Sequence, residues 1–274
     1  MRLRVLLLCI FVGITIVCCV SRTVHQERFR DSMAATPATF TPSIPDPDHF
    51  SFAVVGDLHI GNEDTTRFRR ILTAAAAESD AFVLLLGDLV DTGLDVDVAA
   101  YRKALQDLNY DTKVISVLGN HDIFADGWKS FLAANGPATF TVTAGNSKFV
   151  VLDTADASLG YEQIQWLNAE SGKPKPTHVF WASHYSPIVP DQRTYLKLAD
   201  EAEALRLINL ATDWGVDTWF GAHYHSYVNK TIQGVTYLIA GGGGGRRMEP
   251  VAKFFFVQVN VSGKDLTYNL RIVD

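Results

Sequence analysis

The chain has 274 residues, with 24 Lys+Arg against 30 Asp+Glu, and 47% of its residues are hydrophobic. This composition excludes a wholly disordered or collagen-like chain, and the length allows one large domain or two small ones. Residues 1–30 contain five arginines and one glutamate, which leaves the rest of the chain with 19 basic and 29 acidic residues. Because binding to long nucleic acids depends on neutralising phosphates, so acidic a body is not expected to bind extended nucleic acid.

The first predicted element is an apolar segment at the N-terminus. Arg2 and Arg4 precede sixteen residues, 5–20, that only Gly13 and Thr15 interrupt. As a helix this run would span roughly 24 Å, slightly less than the ~30 Å hydrocarbon core of a bilayer. The basic start, apolar run and polar exit predict that residues 1–21 are a signal peptide or a signal anchor. We favour the anchor, with an extracytoplasmic body and the membrane as a partner; cleavage would make the protein secreted.

The next segment is rich in proline and threonine. Four of the ten prolines lie between residues 33 and 48, and this composition favours an extended tether over a packed unit. We therefore predict a linker over residues 22–49 and a single domain over residues 50–274. All three cysteines lie upstream, at positions 9, 18 and 19, so that domain cannot depend on disulfides.

Short apolar runs alternate with helix-favouring segments after residue 50. Buried strands are predicted at residues 51–55, 81–86 and 113–118, and helices at residues 65–77 and 98–108. Strands dominate further on, with helices expected at residues 161–169 and 196–214. This order predicts an α/β fold with mixed sheets packed in layers.

Side chains that can bind metals follow the ends of five of these strands. They are Asp57, His59, Asp88, Asn120, His184, His223 and His225, and His121 stands beside Asn120. Ligands in open α/β folds gather at the carboxyl ends of strands, so we expect these side chains at one edge of the domain. A lone Gly-Asp turn or a lone histidine is more often structural, whereas five such blocks in order indicate a metal site.

The ordered motifs resemble those of the calcineurin-like metallophosphoesterases. They are Asp57-Leu-His59, Gly87-Asp88-Leu-Val-Asp91, Gly119-Asn120-His121-Asp122, Ser183-His184 and Gly221-Ala-His223-Tyr-His225. The resemblance covers nearly all of residues 50–274. It implies a four-layer-type sandwich of two mixed β-sheets flanked by helices, with a dinuclear metal site at the carboxyl-terminal ends of strands.

The resemblance also implies the ligands and the chemistry of the site. One metal would be held by Asp57, His59, Asp88 and His225, and the other by Asp88, Asn120, His184 and His223. Imidazole and carboxylate ligands suit two divalent ions of manganese, iron or zinc without selecting among them. A phosphate ester would then be hydrolysed through a metal-bridging hydroxide, with His121 as the general acid.

Asp91 is predicted to orient His121, because the aspartate at this spacing does so in the related protein serine/threonine phosphatases. A carboxylate on the far imidazole nitrogen fixes the tautomer of the ring. The alternatives are an ordinary turn or helix-cap role for Asp91 and a pairing of His121 with its neighbour Asp122. Asp153, at the end of another strand, is expected to support a loop near the site.

Departures from two groups of relatives narrow the substrate class. Thr92-Gly93 follows Asp91 where the serine/threonine phosphatases usually have arginine and glycine, and the tyrosine ligand of the purple acid phosphatases is replaced by Asp91. We therefore expect a small phosphorylated substrate and no tyrosinate–iron site. A cyclic-nucleotide phosphodiesterase is an alternative, as is a noncatalytic interaction module on the same fold. The sequence does not indicate an oligomeric state.

A glycine run, Gly241–Gly245, precedes Arg246 and Arg247. Two interpretations are open: backbone amides and guanidinium groups that bind a phosphate, or a flexible surface connection between strands. The run lacks the Gly-Lys-Ser/Thr of a nucleotide-binding P-loop.

Overall fold

The computed structural model describes residues 25–245 and 253–273. The predicted signal segment, residues 1–21, lies outside the described residues, as do Arg246 and Arg247. Within the described part of the chain, no helix is both long and apolar enough to cross a bilayer.

Helices and strands alternate along the described chain. In chain order they are α1 (residues 25–34), β1 (His49–Val55), α2 (Thr66–Ala77), β2 (Val83–Leu85), α3 (Asp95–Asp107), β3 (Val114–Ser116), α4 (Trp128–Asn135), β4 (Phe140–Ala144), β5 (Ser147–Val151), α5 (Tyr161–Ser171), β6 (His178–Ala182), α6 (Glu201–Trp214), β7 (Thr218–Gly221), β8 (Tyr227–Ile232), β9 (Val235–Ala240), β10 (Phe254–Ser262) and β11 (Asp265–Val273). Short 3-10 helices at Phe124–Asp126 and Thr194–Leu196 precede α4 and α6.

Two mixed sheets form the centre of the fold. The first has the order β11-β10-β1-β2-β3, in which β1, β2 and β3 are parallel and β10 is antiparallel to both of its neighbours. The second has the order β4-β5-β6-β7-β9-β8, with parallel inner strands and an antiparallel strand at each edge. Parallel neighbours direct their carboxyl ends to one edge, which is where ligands gather in such folds.

A layer of phenylalanine rings joins the two sheets. Phe52 stacks on Phe82 with ring centroids 4.9 Å apart and meets Phe149 of the second sheet edge-on at 5.3 Å. Helices α2, α3 and α4 cover the outer face of the first sheet, and α5 and α6 cover that of the second. This confirms the predicted four-layer sandwich of two mixed sheets flanked by helices.

Local hydrogen bonds determine where α6 begins and ends. The Asp200 carboxylate accepts hydrogen bonds from the backbone amides of Ala202 at 2.8 Å and Glu203 at 3.1 Å, which caps the helix. Gly215 adopts the left-handed conformation, with φ of 70°, and ends it. The helix predicted from residue 196 therefore begins at Glu201, after the cap.

Helix α1 lies within the segment predicted as a linker, residues 22–49, and here the structure differs from the prediction. His25 and Arg28 are 8% and 1% exposed. The Arg28 guanidinium donates through Nε to Asp153 at 2.8 Å and through Nη2 to Asp156 at 2.6 Å. Asp153 and Asp156, which lie 125 and 128 positions further along the chain, thus order residues 25–34, although the composition of this region favours an extended tether.

Further contacts tie α1 to the helical layer on the first sheet. Trp128 Nε1 donates to the Asp31 carboxylate at 2.9 Å, and the backbone amide of Ala138 donates to Ser32 Oγ at 3.1 Å. The packed part of the chain therefore extends upstream of residue 50, and Asp153 holds α1 in place.

Replacing the buried cation of α1 tests this packing. Arg28→Met is expected to lower the free energy of unfolding by roughly 3–5 kcal/mol, because it leaves the buried carboxylate of Asp153 without its cation. Urea unfolding of the full chain in detergent measures the loss. Arg30→Met is the matched control, since Arg30 is exposed and donates to the Gln26 carbonyl. Equal stability of the two variants would contradict the role of this ion pair.

A buried carboxyl group makes the stability of the fold depend on pH. Asp80 is 8% exposed, and Gln258 donates a hydrogen bond to it at 3.1 Å. Burial raises the pKa of Asp80 to about 6. The folded state therefore binds the proton of the Asp80 carboxyl more tightly than the unfolded chain does, since aspartates in an unfolded chain titrate at about pH 4. Deprotonation between these two values removes stability.

Asp80→Asn removes this titration. We expect the stability of the wild type relative to the variant to fall by up to about 3 kcal/mol between about pH 4 and pH 7. The variant amide keeps an oxygen that accepts from Gln258 but does not ionise. Urea unfolding at a series of pH values measures the difference, and a difference that stays constant across this range would refute the assignment.

Candidate metal centre

The predicted metal ligands lie in five loops that leave the carboxyl ends of strands. In the first sheet, Asp57 and His59 follow β1, Asp88 follows β2 and Asn120 follows β3. In the second sheet, His184 follows β6, and His223 and His225 follow β7. The structure brings all seven side chains together at one edge of the sandwich.

Five of these residues have left-handed backbone conformations. The φ angles are 58° at Asp57, 48° at His59, 50° at Asp88, 62° at His223 and 49° at His225. For residues with a Cβ atom such conformations cost on the order of 1 kcal/mol each, and they cluster at functional sites. The loops therefore hold these side chains in place against the local preference of the backbone.

Four of the side chains form a first group of donors. Candidate ligand atoms of Asp57, His59, Asp88 and His225 all lie within 4.8 Å of one another. The Nε2 atoms of His59 and His225 are 3.3 Å apart, and His59 Nε2 is 3.6 Å from Asp88 Oδ2. Imidazole and carboxylate atoms that converge in this way are suited to coordinating one cation.

Asp88 also belongs to a second group, with His184 and His223. Its Oδ2 atom lies 3.3 Å from His184 Nε2, and Asn120 Oδ1 lies 3.0 Å from the same nitrogen. One carboxylate is therefore shared by two groups of donors, which is the position that a bridging ligand between two metals requires.

Buried polar atoms in the centre have no hydrogen-bond partner among the described residues. They are Asp57 Oδ2, His223 Nδ1 and Asp88 Oδ2, the last of which has only ion pairs, with His184 at 3.3 Å and His59 at 3.6 Å. Both carboxylates are 0% exposed, and an ionised carboxylate is costly to bury unless a cation compensates it. These atoms and the mixed donor set fit two divalent metal ions. The ligand types do not select among manganese, iron and zinc.

The charges of the centre determine where its protons lie. Burial by itself would raise the pKa of Asp88, but His184 and His59 outweigh it and hold that pKa well below its usual range. Burial would lower the pKa of His184, but Asp88 and Asp57 raise it to about 9. Burial and the nearby His184 lower the pKa of His223 to about 3. His223 is therefore neutral, whereas His184 has to release a proton when a cation binds.

Asp122, predicted as an alternative partner of His121, has a different role. It is 2% exposed. Its carboxylate accepts hydrogen bonds from the backbone amides of Leu89 at 2.8 Å, Val90 at 3.1 Å and Gly119 at 2.9 Å. These bonds join the loops after β2 and β3, so Asp122 fixes the distance between Asp88 and Asn120.

His121 lies beside the first group of donors, where Asp91 holds its ring. His121 Nδ1 is 2.7 Å from the backbone carbonyl of Asp91 and 3.7 Å from the Asp91 carboxylate. Because a carbonyl only accepts, Nδ1 carries the hydrogen, and Nε2 is the nitrogen left for a substrate. The Asp91 carboxylate is closer to His59 Nδ1, at 3.2 Å. Its orienting role therefore extends to a predicted metal ligand.

The glycine run Gly241–Gly245 packs against the loop after β1. The backbone amides of Gly241, Gly243 and Gly245 donate to the carbonyls of Ser226 at 3.1 Å, Gly56 at 2.9 Å and Asp57 at 2.9 Å. These amides are therefore not available to a phosphate. The run is also not a flexible surface connection, since its first three residues are buried. The structure therefore does not support the flexible connection, and it removes three of the amides from the phosphate-binding interpretation, whose Arg246 and Arg247 lie outside the described residues.

Close packing explains why this run consists of glycine. A Cβ atom on Gly241 would lie 2.3 Å from Asp57 Oδ2, and one on Gly244 would lie 1.9 Å from the Leu58 carbonyl. The run thus forms the wall behind two metal-ligand loops, where no side chain fits. Its place directly after β9, at the same edge of the sheet, was the sequence signal for this role.

A cleft of about 470 Å³ opens in front of His59, His121 and His225. Arg67 on α2 lines it and donates through Nη1 to the Gly244 carbonyl at 3.1 Å. Arg67 was not predicted as a site residue, because an arginine in an amphipathic helix carries no pattern that separates it from an ordinary surface residue. Arg67 provides positive charge at the side of the cleft formed by the glycine run.

The sequence matches the family model of the calcineurin-like phosphoesterases over residues 50–227. A comparison with curated proteins finds no significant match. Among solved structures, a dimetal phosphatase from Danio rerio is 14% identical, with a TM-score of 0.64 over 82% of this chain and 96% of that chain. GAP50, the anchor in the inner membrane complex of Plasmodium, is 13% identical, with a TM-score of 0.62 over 82% of this chain and 85% of that one.

A purple acid phosphatase, PPD1 from yellow lupin, is 14% identical, with a TM-score of 0.65. The match covers 87% of this chain and 52% of the lupin chain, so it spans about half of that protein. At these identities the three structures establish a common fold.

The packing of the glycine run predicts an effect on metal binding. Gly241→Ala is expected to reduce the affinity for Mn²⁺ by roughly 10- to 100-fold, because the added methyl group displaces Asp57. Calorimetric titration and the metal content of the purified protein measure the loss, and thermal unfolding checks that the variant folds. Gly172→Ala is the matched control, since a Cβ atom there meets only the Ala169 carbonyl, at 3.7 Å. Unchanged metal affinity in folded Gly241→Ala would refute this role.

Proposed function

The chain belongs to the calcineurin-like phosphoesterase family, and we propose that it is a dinuclear metal-dependent phosphoesterase of small phosphorylated substrates. The observation that carries the proposal is the pair of donor groups that share Asp88, with buried carboxylate oxygens left without a hydrogen bond among the described residues. His121 stands beside them with Nδ1 already bonded. This combination of cation ligands and proton donor is sufficient for metal-dependent hydrolysis of a phosphate ester.

The two groups divide the ligands as follows. One metal would be held by Asp57, His59, Asp88 and His225, and the other by Asp88, Asn120, His184 and His223. Bound there, two divalent cations would neutralise the phosphoryl oxygens and lower the pKa of water at the site. Asn120 is neutral, which limits the negative charge that an anionic substrate meets.

In the proposed reaction, His121 donates the proton that the leaving oxygen needs, and Asp91 orients His121. Hydrolysis breaks the bond from phosphorus to the leaving oxygen and forms a bond from phosphorus to the oxygen of water. His121, protonated on both ring nitrogens, gives the proton on Nε2 to the leaving oxygen, which departs as a neutral alcohol; the attacking water loses one proton to solvent, and the neutral ring regains one from solvent before the next turnover. The Asp91 carbonyl, 2.7 Å from Nδ1, keeps the ring oriented, and the Asp91 carboxylate lies 3.7 Å from the same nitrogen.

The shape of the cleft favours a small substrate. Its volume of about 470 Å³ suits a small molecule better than a folded phosphoprotein. Arg67 adds one positive charge beside the metal centre, which supports an anionic substrate on an otherwise acidic protein. Monoesters and diesters both meet these requirements, so a cyclic-nucleotide phosphodiesterase is the alternative that the experiment has to distinguish.

Turnover by the full chain, purified in detergent and loaded with Mn²⁺, tests the proposal. The substrates are 4-nitrophenyl phosphate, bis(4-nitrophenyl) phosphate and cyclic AMP. We expect hydrolysis that a chelator abolishes, and His121→Ala is expected to lower kcat by about 10²- to 10⁴-fold with its metal content retained. Asn120→Ala is expected to lose metal.

His49→Ala is the control, because His49 is an exposed histidine that pairs with Asp46 at the start of β1. It should leave turnover unchanged. The relative rates on the three substrates decide between a monoesterase and a diesterase. No turnover of any of them by the loaded protein would instead favour a noncatalytic interaction module, and full activity of His121→Ala would overturn the assigned general acid.

A further inference from the structure

An exposed aromatic ring stands next to the proposed proton donor. Phe124 is 53% exposed, whereas twelve of the largest side chains of the described fold, many of them phenylalanines, are fully buried. Its ring meets the His121 ring edge-on, with centroids 5.3 Å apart and an interplanar angle of 86°. The proposed reaction gives this ring no part. An exposed ring at the edge of a polar site therefore needs a separate explanation.

The backbone holds this ring in place at a local cost. Ala125 and Asp126, which follow Phe124, have left-handed φ angles of 50° and 65°. Such conformations persist in non-glycine residues where the surroundings enforce them, and they concentrate at ligand-binding sites. The Phe124 carbonyl accepts a hydrogen bond from the Gly127 amide at 2.9 Å. The turn thus keeps a large apolar side chain out of the core.

The neighbouring loop packs tightly against this turn. A Cβ atom on Gly93 would lie 2.4 Å from the Phe124 carbonyl, so the two backbones are in direct contact. Leu94 and Val96, in the residues that follow Gly93, are 47% and 48% exposed. We define these three exposed side chains, Leu94, Val96 and Phe124, as the apolar rim. Of these, Phe124 packs on His121, whereas Arg67 lies at the glycine-run side of the metal centre.

We propose that Phe124 contacts the leaving alcohol of the substrate and selects esters whose leaving alcohol is apolar or aromatic. The inference rests on the proposed function, in which His121 protonates the leaving oxygen. The carbon bonded to that oxygen then has to lie within a few ångströms of the imidazole, beside the ring that packs on it. An exposed phenyl ring stabilises apolar and aromatic groups and offers no hydrogen bond to hydroxyl or carboxylate groups.

Two phosphate esters with alcohols of similar acidity isolate this contact: 2-phenylethyl phosphate and ethyl phosphate. We expect the Mn²⁺-loaded full chain to prefer the phenylethyl ester in kcat/KM. Phe124→Ala is expected to reduce that preference about three- to tenfold, the range for an aromatic contact, and Phe124→Leu to retain part of it. Tyr161→Ala is the matched control, because Tyr161 is an aromatic residue that is 69% exposed and lies on α5. It should leave the preference unchanged.

A binding measurement gives a second readout that needs no turnover. The non-hydrolysable analogues are 3-phenylpropylphosphonate and propylphosphonate, with affinities measured by calorimetry in wild type and Phe124→Ala. We expect the variant to lose the same three- to tenfold preference in Kd.

The outcomes separate the two proposals. Hydrolysis of both esters with a preference that Phe124→Ala leaves intact overturns the contact and leaves the phosphoesterase standing. An equal loss on both esters means that Phe124 only positions His121, which also overturns the contact. Phe124-dependent phosphonate binding without any turnover supports the contact and overturns the proposed reaction. Absence of both binding preference and turnover overturns both.

Discussion

Burial of two carboxylates at one point is the constraint on which this structure depends. Asp57 and Asp88 are fully buried, and each has an oxygen with no hydrogen-bond partner among the described residues. Two like charges in such a place are unfavourable unless cations compensate them. In the metal-free protein part of that compensation comes from His184, whose pKa Asp88 raises to about 9 against the opposing effect of burial. His184 is thus a counter-charge to these carboxylates as well as a candidate metal ligand.

The surrounding fold holds the two carboxylates and the histidines around them in place. The ligands come from both sheets, so their spacing depends on the phenylalanine layer that joins the sheets. Asp122 fixes two of the loops through three backbone amides. The glycine run closes the back of the site at a distance that no side chain allows. Each feature restricts the loops further, which explains why left-handed backbone conformations persist at five ligand positions.

The cleft in front of the centre has unlike sides. Arg67 and the glycine run give one side a positive charge and backbone carbonyls, whereas His121 on the other side carries the exposed ring of Phe124 against it. A phosphate ester likewise has two unlike ends, an anionic phosphoryl group and an alcohol that can be polar or apolar. In the two proposals made above, the metal centre would carry out the hydrolysis, and a loop outside it would select the alcohol.

Much of the centre was predictable from the sequence, because its information is local. A short apolar strand, a turn and a polar residue in five successive blocks predict the fold class and a set of candidate ligands; the fold was confirmed, and the structure brings the candidate ligands together. The tertiary structure decided what depends on distant partners. Arg28 orders α1 through carboxylates 125 and 128 positions away, and the Asp91 carbonyl, rather than its carboxylate, is the nearer partner of His121. Contacts with the loop after β1 require glycine in the run Gly241–Gly245. The exposed ring of Phe124 points to a binding role only because it packs on His121. Such contacts join parts of the chain whose spacing follows no periodic pattern, so only the folded arrangement of the two sheets determines them.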